Sequence, residues 1–280
     1  MRKKLAIIAL SSFALSALCL GGAYALGGRD IANSDFNFAF GERPACPASS
    51  SATATSRTLP WTDGDSRAAV AVPANAHWQS GSGDALVVKG DPAVISHIRI
   101  RDGVVELDCQ TRFFRSGASD RIDVTLPGRN FHSFALMGSG DLNLAGVSQP
   151  DVKISLMGSG DIEASGKTQQ LEATMLGSGR LRLGDLTAQD ADIHIAGSGD
   201  IEAAPQGELH ANIAGSGDIE LKSEPKQIDT AIHGSGRIRH PDGRSDTMRG
   251  ERHASWDYED GKFEARAEKR AEKEIEKYRP

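Results

Sequence analysis

The stretch from Phe134 to Leu144 reads FALMGSGDLNL, and the stretch from Val152 to Ile162 reads VKISLMGSGDI. Both contain the tetrad Gly-Ser-Gly-Asp, which occurs six times from residue 138 onward, with Arg in place of Asp in two copies. Successive copies are 20, 19, 20, 18 and 19 residues apart. A period of this length is typical of stacked coils. The tetrad glycines are Gly138, Gly140, Gly158, Gly160, Gly177, Gly179, Gly197, Gly199, Gly215, Gly217, Gly234 and Gly236.

Around each tetrad, apolar residues alternate with polar ones at period two, which indicates strands with one buried face. One example is the series Val152, Ile154, Leu156, Gly158, Gly160 and Ile162. Both glycines have the parity of the buried residues, so we expect a bend or a close backbone approach there. The fold prediction is an all-β, single-stack β-solenoid of the right-handed parallel type, because a six-residue repeat typical of the left-handed type is absent. A β-sandwich is the second choice, but it does not explain why the tetrad recurs.

The N-terminus predicts export. A basic start, Arg2-Lys3-Lys4, precedes an apolar run from Leu5 to Leu20, and Ala23-Tyr24-Ala25 has the small-x-small form of a cleavage site. Residues 1–25 are therefore predicted to be a signal peptide. The alternatives are an uncleaved membrane helix, and a lipid anchor at Cys19. Each alternative places the rest of the chain in the periplasm or cell envelope, with membrane contact only through this segment.

The remaining chain divides into three predicted parts. Residues 26–59 are rich in Ser, Thr, Ala and Pro and predict a flexible linker. Residues 60–243 form the solenoid, which an earlier tetrad at Gly81–Asp84 suggests begins near residue 60. Residues 244–280 form a charged tail with a short helix from Phe263 to Tyr278. Export permits a disulfide between Cys46 and Cys109, although Cys109 also fits a buried strand position.

The repeated tetrads, the alternating Ile and Leu that follow them, and the segment Asp123-Val124-Thr125-Leu126-Pro127 resemble the head GIN domain family of auto-transporter adhesins. The resemblance covers about residues 60 to 243. It implies a bacterial, envelope-associated β-helical protein, and it carries over no catalytic residues. Arg180 and Arg237 depart from the Asp that is commoner at the end of the tetrad.

The formal net charge of −6 argues against nucleic acid as a partner. Weak candidates for a calcium ladder are the tetrad acids Asp141, Asp161, Asp200 and Asp218. Because Arg180 interrupts that row, we interpret it as an alternating-charge ladder and predict no metal and no cofactor. Glu202 and Glu220 are neighbours by repeat alignment, which leaves open a two-carboxylate site of a carbohydrate-active enzyme.

The residue before each tetrad has outward parity but is mostly apolar, as Met137, Met157 and Leu176 show. This row is either a binding strip, a surface covered by another segment, or a slip in the alternation. We therefore predict an exported, non-enzymatic β-solenoid that binds an envelope protein or a glycan. The alternatives are a self-associating structural envelope protein and, less favoured, a carbohydrate-active β-helix enzyme.

Overall fold

The computed structural model describes residues 55–61, 66–109, 122–247 and 252–255. The described residues are all-β, with 69% strand and 2% helix, and they form a β-solenoid of about 5 turns. The stacked coils are those that the repeat predicts. One short helix, α1 (Pro92–Ile95), begins after Asp91, whose carboxylate accepts a hydrogen bond from the Ala93 amide at 2.8 Å.

Nineteen strands lie within the described ranges. The first seven are β1 (Thr55–Pro60), β2 (Arg67–Val70), β3 (Ala74–Gln79), β4 (Ala85–Gly90), β5 (Ile98–Arg101), β6 (Val104–Leu107) and β7 (Ile122–Thr125). The next five are β8 (Ser133–Gly138), β9 (Asp141–Val147), β10 (Asp151–Gly158), β11 (Asp161–Gly177) and β12 (Arg180–Gly197). The last seven are β13 (Asp200–Pro205), β14 (Glu208–Gly215), β15 (Asp218–Leu221), β16 (Gln227–Gly234), β17 (Arg237–Arg239), β18 (Ser245–Thr247) and β19 (Arg252–Ser255).

The repeated strands build two parallel ladders that meet at the tetrads. Face 1 is the ladder in the order β6, β2, β8, β10, β11, β12, β14 and β16, in which the strands from β8 onward precede the tetrads. Face 2 is the ladder in the order β7, β3, β9, β11, β12, β13, β15 and β17, in which the strands from β9 onward follow the tetrads. The long strands β11 and β12 contribute to both faces.

The tetrads stack in register, and their two glycines have different roles. Gly158 pairs with Gly138 on one side and Gly177 on the other. Its φ of 134° lies in the left-handed region, so this first glycine makes the bend. The second glycine, Gly160, is buried, and a Cβ atom there would collide with the carbonyl oxygen of Gly140. The inward parity predicted for both glycines therefore holds for the second one only, and the close approach is to the preceding coil.

The tetrad Gly81–Asp84 does not open the solenoid, contrary to the expectation from sequence. It lies in the loop after β3, where the Gly81 amide donates to the Gly128 carbonyl at 2.8 Å. The pairing of Asn75 with Asp141 places Ala74 at the level of Gly140. The first coil therefore turns at this level without glycines, and β1 begins at Thr55, inside the segment predicted to be a linker.

The interior is one continuous apolar core built from the alternate residues of every strand. Its N-terminal end contains edge-to-face aromatic contacts, with Trp78 and Phe134 ring centroids 4.9 Å apart and Phe131 and Phe134 centroids 6.0 Å apart. Trp61 continues the cluster, 5.3 Å from Phe131. The sequence, with only 15 aromatic residues, gave no sign of this cluster.

Antiparallel strands close both ends of both ladders. At the N-terminal end, β5 pairs with β6 on face 1, and β4 and then β1 extend face 2 beyond β7. At the C-terminal end, β19 pairs with β16 on face 1 and β18 pairs with β17 on face 2. Reversed strands cover the open edges of the parallel coils, which would otherwise invite pairing with another chain.

Several predictions concern residues outside the described ranges: the signal peptide, Cys19, Cys46 and the helix from Phe263 to Tyr278. Cys109 is described, and it is buried and disulfide-bonded. Its pairing with Cys46 stays a prediction. Across the part of the chain that the structure describes, no helix has the length and apolarity that crossing a bilayer requires.

Candidate functional site

The apolar strip lies on the outside of face 1. We define it as Met137, Met157 and Leu176, which the parallel register places directly opposite one another on three neighbouring strands. All three side chains are half-buried, while Leu136 and Leu156 before them are fully buried. The strand alternation therefore continues up to the tetrad, and the strip faces outward without a slip. Ala196, Ala214 and the exposed His233 continue the row toward the C-terminal end.

Charged side chains flank the strip on face 1. Lys153 and Glu172 form an ion pair at 2.5 Å across neighbouring strands. Asp192 contacts His194 at 3.0 Å, and the hydrogen bond from this imidazole is the main cause that holds the pKa of Asp192 below its usual value. Face 1 therefore combines an apolar row with a polar row, in which Glu172 and Asp192 each have a partner of opposite or ionisable character.

The outward acids of face 2 form the alternating ladder. Asp161 contacts Arg180 at 3.5 Å and Arg182 at 3.1 Å, so two guanidinium groups share one carboxylate. Three coils later the arrangement recurs, because Asp218 contacts both Arg237 and Arg239. These contacts give both carboxylates a positively charged partner, which works against a calcium ion at the same place.

We expect the unfolding temperature to change by less than about 2 °C when EDTA is added, because the ladder obtains its counter-charge from Arg rather than from a cation. The measurement is thermal unfolding of the purified protein with EDTA, and with EDTA followed by excess Ca²⁺. A large fall that Ca²⁺ reverses would contradict the arginine ladder and support a calcium site.

Glu202 and Glu220 are direct neighbours, as the repeat alignment predicts. Lys222 bridges them, with its Nζ atom 2.6 Å from Glu220 and 3.4 Å from Glu202. The hydrogen bond to Glu220 is the main cause that raises the pKa of Lys222. The two carboxylates of a glycosidase act on the substrate from either side of the scissile bond, whereas these two share one ammonium group.

One cluster of metal-ligand types was missed by sequence reasoning: His97, Asp108 and Cys109. Because Cys109 is disulfide-bonded, its sulfur is not a thiolate ligand. The Asp108 carboxylate contacts His97 at 2.7 Å and Arg99 at 3.0 Å, which gives it two protein partners. No regular spacing in the sequence marks this cluster.

His240 links the hairpin of β17 and β18 to the preceding coil through contacts with two carboxylates. The imidazole, with 3% of its side chain exposed, lies 3.3 Å from Asp246 on β18 and 3.3 Å from Glu224 before β16. Arg244 also contacts Glu224, at 2.8 Å. The hydrogen bond to Asp246 is the main cause that raises the pKa of His240, and Glu224 adds to it.

His240→Gln is expected to lower stability more at pH 6 than at pH 9. The raised pKa means that the stabilising charge of His240 is fully present below about pH 6.5 and is lost as the pH rises through the folded-state pKa. The measurement is the urea midpoint of both proteins at each pH. An effect of equal size at both pH values would show that the imidazole acts by packing alone.

Comparisons with known proteins agree with this fold. The family described as "Putative auto-transporter adhesin, head GIN domain" matches residues 69–225. A crystal structure of a putative adhesin from Bacteroides fragilis is 20% identical, with a TM-score of 0.52, and the match covers 67% of this chain and 97% of that one. A putative lipid binding protein from Parabacteroides distasonis is 21% identical, with a TM-score of 0.41 and coverage of 68% and 97%. No curated protein matches the chain.

Proposed function

Because the chain belongs to the head GIN domain family of auto-transporter adhesins, we propose that it is a binding module of the cell surface or envelope that acts without catalysis. The observation that carries the proposal is the in-register apolar strip on the outside of face 1. In a repeat scaffold, the outward positions that differ from coil to coil are those that carry specificity. An exposed apolar row with a polar border is typical of a protein-binding surface. We infer an envelope protein as the partner.

Two alternatives receive less support. End-to-end self-association by continuation of the parallel coils needs an open parallel edge, whereas the strands at both ends of the described stack are antiparallel, so a second copy would have to pair with these reversed strands. Catalysis by the pair Glu202 and Glu220 needs one carboxyl with a raised pKa, whereas Lys222 lies between them.

For the coil handedness we propose a right-handed helix, which the strong right-handed preference of parallel crossovers supports.

The test replaces Met137, Met157 and Leu176 together with Ser in the mature protein. We expect binding to isolated envelopes of the source bacterium to weaken at least tenfold, because the variant loses most of the apolar contact area. A matched control replaces Asn143, Glu163 and Arg182 with Ser, which changes the same three coils on face 2. The control should bind like the wild type.

The assay uses fluorescently labelled protein on three envelope samples: untreated, protease-treated and periodate-treated. Loss of binding after protease supports a protein partner, and loss after periodate alone would replace it with a glycan. If the strip variant unfolds, the strip belongs to the core and the binding proposal is wrong. The proposal is also wrong if the folded variant binds as well as the control.

A further inference from the structure

A concave pocket lies on the outside of face 2, at its C-terminal end. It has a volume of about 600 Å³, which is within the usual range for a site that holds a small molecule. One wall consists of residues at the end of β15 and on β17, and the other is the turn around Pro241 and Gly243 that leads into β18. We call it the basic pocket, after its ionisable lining residues Glu220, Lys222, Arg237, Arg239 and His240.

The hairpin of β17 and β18 creates this concavity. On the inner coils, each strand of face 2 has parallel neighbours on both sides, whereas β17 is followed by a reversed strand. The turn between them is held by its own backbone, because the His240 amide donates to the Arg244 carbonyl at 2.9 Å and the Gly243 amide donates to the His240 carbonyl at 3.0 Å. The carboxylate contacts of the His240 imidazole fix the same turn to the preceding coil. The second wall of the pocket is therefore preformed.

The lining of the basic pocket carries an excess of positive charge. Lys222, Arg237 and Arg239 are cationic, and Glu220 is the one acid among the described residues that line it. The carboxylate partners of the buried His240 raise the pKa of this imidazole, which therefore keeps its positive charge to a higher pH than an ordinary histidine. A concave surface lined by one sign of charge attracts ligands of the opposite sign.

The two arginines keep hydrogen-bond donors that the described protein does not use. Arg237 contacts Asp218 through its Nε atom at 3.2 Å, and Arg239 contacts the same carboxylate through its Nη2 atom at 2.5 Å. Within the described ranges, neither the terminal nitrogens of Arg237 nor the Nη1 atom of Arg239 donates to a protein group. The arginine side chains are 49% and 47% exposed, whereas Asp218 is 15% exposed beneath them. The pocket surface therefore presents guanidinium donors rather than the carboxylate.

The chemistry of the lining fits an acidic group on a polyhydroxyl ligand. Arg237 and Arg239 lie two residues apart on β17, so their side chains project from the same side of the strand. A guanidinium group can hold a carboxylate or a phosphate through two parallel hydrogen bonds. The Lys222 ammonium adds a further cation, while the Glu220 carboxylate and the Ser245 hydroxyl supply acceptors that ligand hydroxyls need.

We propose that the basic pocket binds an acidic sugar, that is, a sugar unit that carries a phosphate or a carboxylate. Arg237 and Arg239 hold the acidic group, and Glu220 and Ser245 accept hydrogen bonds from the hydroxyls. The pocket belongs to face 2, whereas the apolar strip belongs to face 1, so this proposal does not rest on the proposed function. The protein thus has two binding surfaces of different chemistry.

The test is an NMR titration of the purified mature protein with glucose 6-phosphate, with glucuronate and, as the uncharged reference, with glucose. We expect saturable shifts of the amide signals of residues 220–222 and 237–245 with one or both acidic sugars, and their relative affinities identify the preferred acidic group. Glucose should bind at least about tenfold more weakly, because it lacks the charge-assisted hydrogen bonds. The absence of saturable shifts with both acidic sugars, or equal binding of glucose, would overturn the proposal.

Replacing Arg237 and Arg239 with Gln should weaken binding of the acidic sugar at least about tenfold, because the variant loses the donors that hold the acidic group. The matched control replaces Arg180 and Arg182 with Gln. These two arginines share Asp161 in the same way, but they lie where parallel strands continue on both sides. The control loses the same charge and should bind as tightly as the wild type. Equal losses in the two variants would show general charge attraction and overturn the site.

Ser245→Trp tests the shape of the pocket, because it fills the concavity and keeps every charge. The exposed position of Ser245 at the end of the ladder should let this variant fold, which its urea midpoint checks. We expect it to lose binding of the acidic sugar, and unchanged binding by the folded variant would overturn the proposal even if the arginine variant unfolds. The strip variant on face 1 should bind the acidic sugar like the wild type, so the two proposals fail separately.

Discussion

Gly199→Val is expected to destabilise the protein by about 3 kcal/mol or more, at the upper end of the range for overpacked cores. A Cβ atom at this position would collide with the Sδ atom of Met175, which is a fully buried side chain, and with the carbonyl oxygen of Gly179 on the preceding coil. Met175 can change its rotamer, but the Gly179 carbonyl belongs to the backbone of the neighbouring coil. The added side chain therefore forces two coils apart.

The measurement for Gly199 is urea unfolding followed by circular dichroism. The control is Asp200→Asn on the same coil, where the exposed side chain accepts a hydrogen bond from the Asp218 amide at 3.2 Å. The asparagine oxygen can accept the same bond, so we expect a change below about 1 kcal/mol. Similar losses in the two variants would show that the inward and outward assignments of this coil are wrong.

Phe134→Ala should cost about 3–5 kcal/mol, because it removes a fully buried aromatic ring and leaves a cavity. The ring makes edge-to-face contacts with both Trp78 and Phe131, so the loss includes two aromatic contacts as well as buried area. Trp78 lies on β3, in the first coil, which lacks the glycine tetrad, whereas Phe131 and Phe134 belong to the coil of Gly138. The cluster therefore joins the first coil to the repeated part of the stack.

Phe134→Leu is the matched variant, because it keeps most of the apolar volume without the ring. We expect it to cost less than half as much as alanine in the same urea experiment. Hydrogen exchange should place the loss of protection mainly in β2, β3 and β8. A cost below about 1 kcal/mol for Phe134→Ala would mean that the aromatic cluster does not hold this end together.

Periodicity explains which features were predictable from sequence. The tetrad steps predicted the stacked coils, and the repeat alignment correctly made Glu202 a neighbour of Glu220. Alternation also gave the outward position of the apolar strip. Each of these inferences depends on a pattern repeated in every coil, so an error in one copy is corrected by the others.

The ends of the stack were not predictable in this way. The reversed strands, the aromatic cluster around Phe134 and the contacts of His240 each occur once, so no repetition marks them. The tetrad at Gly81 shows the opposite failure, because a local match to the repeat lies in an ordinary loop after β3. Long-range pairing decides these elements, and a single sequence does not record it. Handedness also depends on the long-range path between coils, and the sequence bears on it only through the absence of the six-residue repeat that is typical of the left-handed type.

The stacked tetrads also bear on how such a chain changes in evolution. Each inner coil offers its neighbours above and below the same glycine contacts, so an internal duplication of 18 to 20 residues would find both of its contact surfaces already present. Lengthening of this kind would move the two ends apart in steps of ~4.8 Å while their reversed strands stayed unchanged. The length of the stack can thus change by whole coils, and neither a new core nor new end strands are needed.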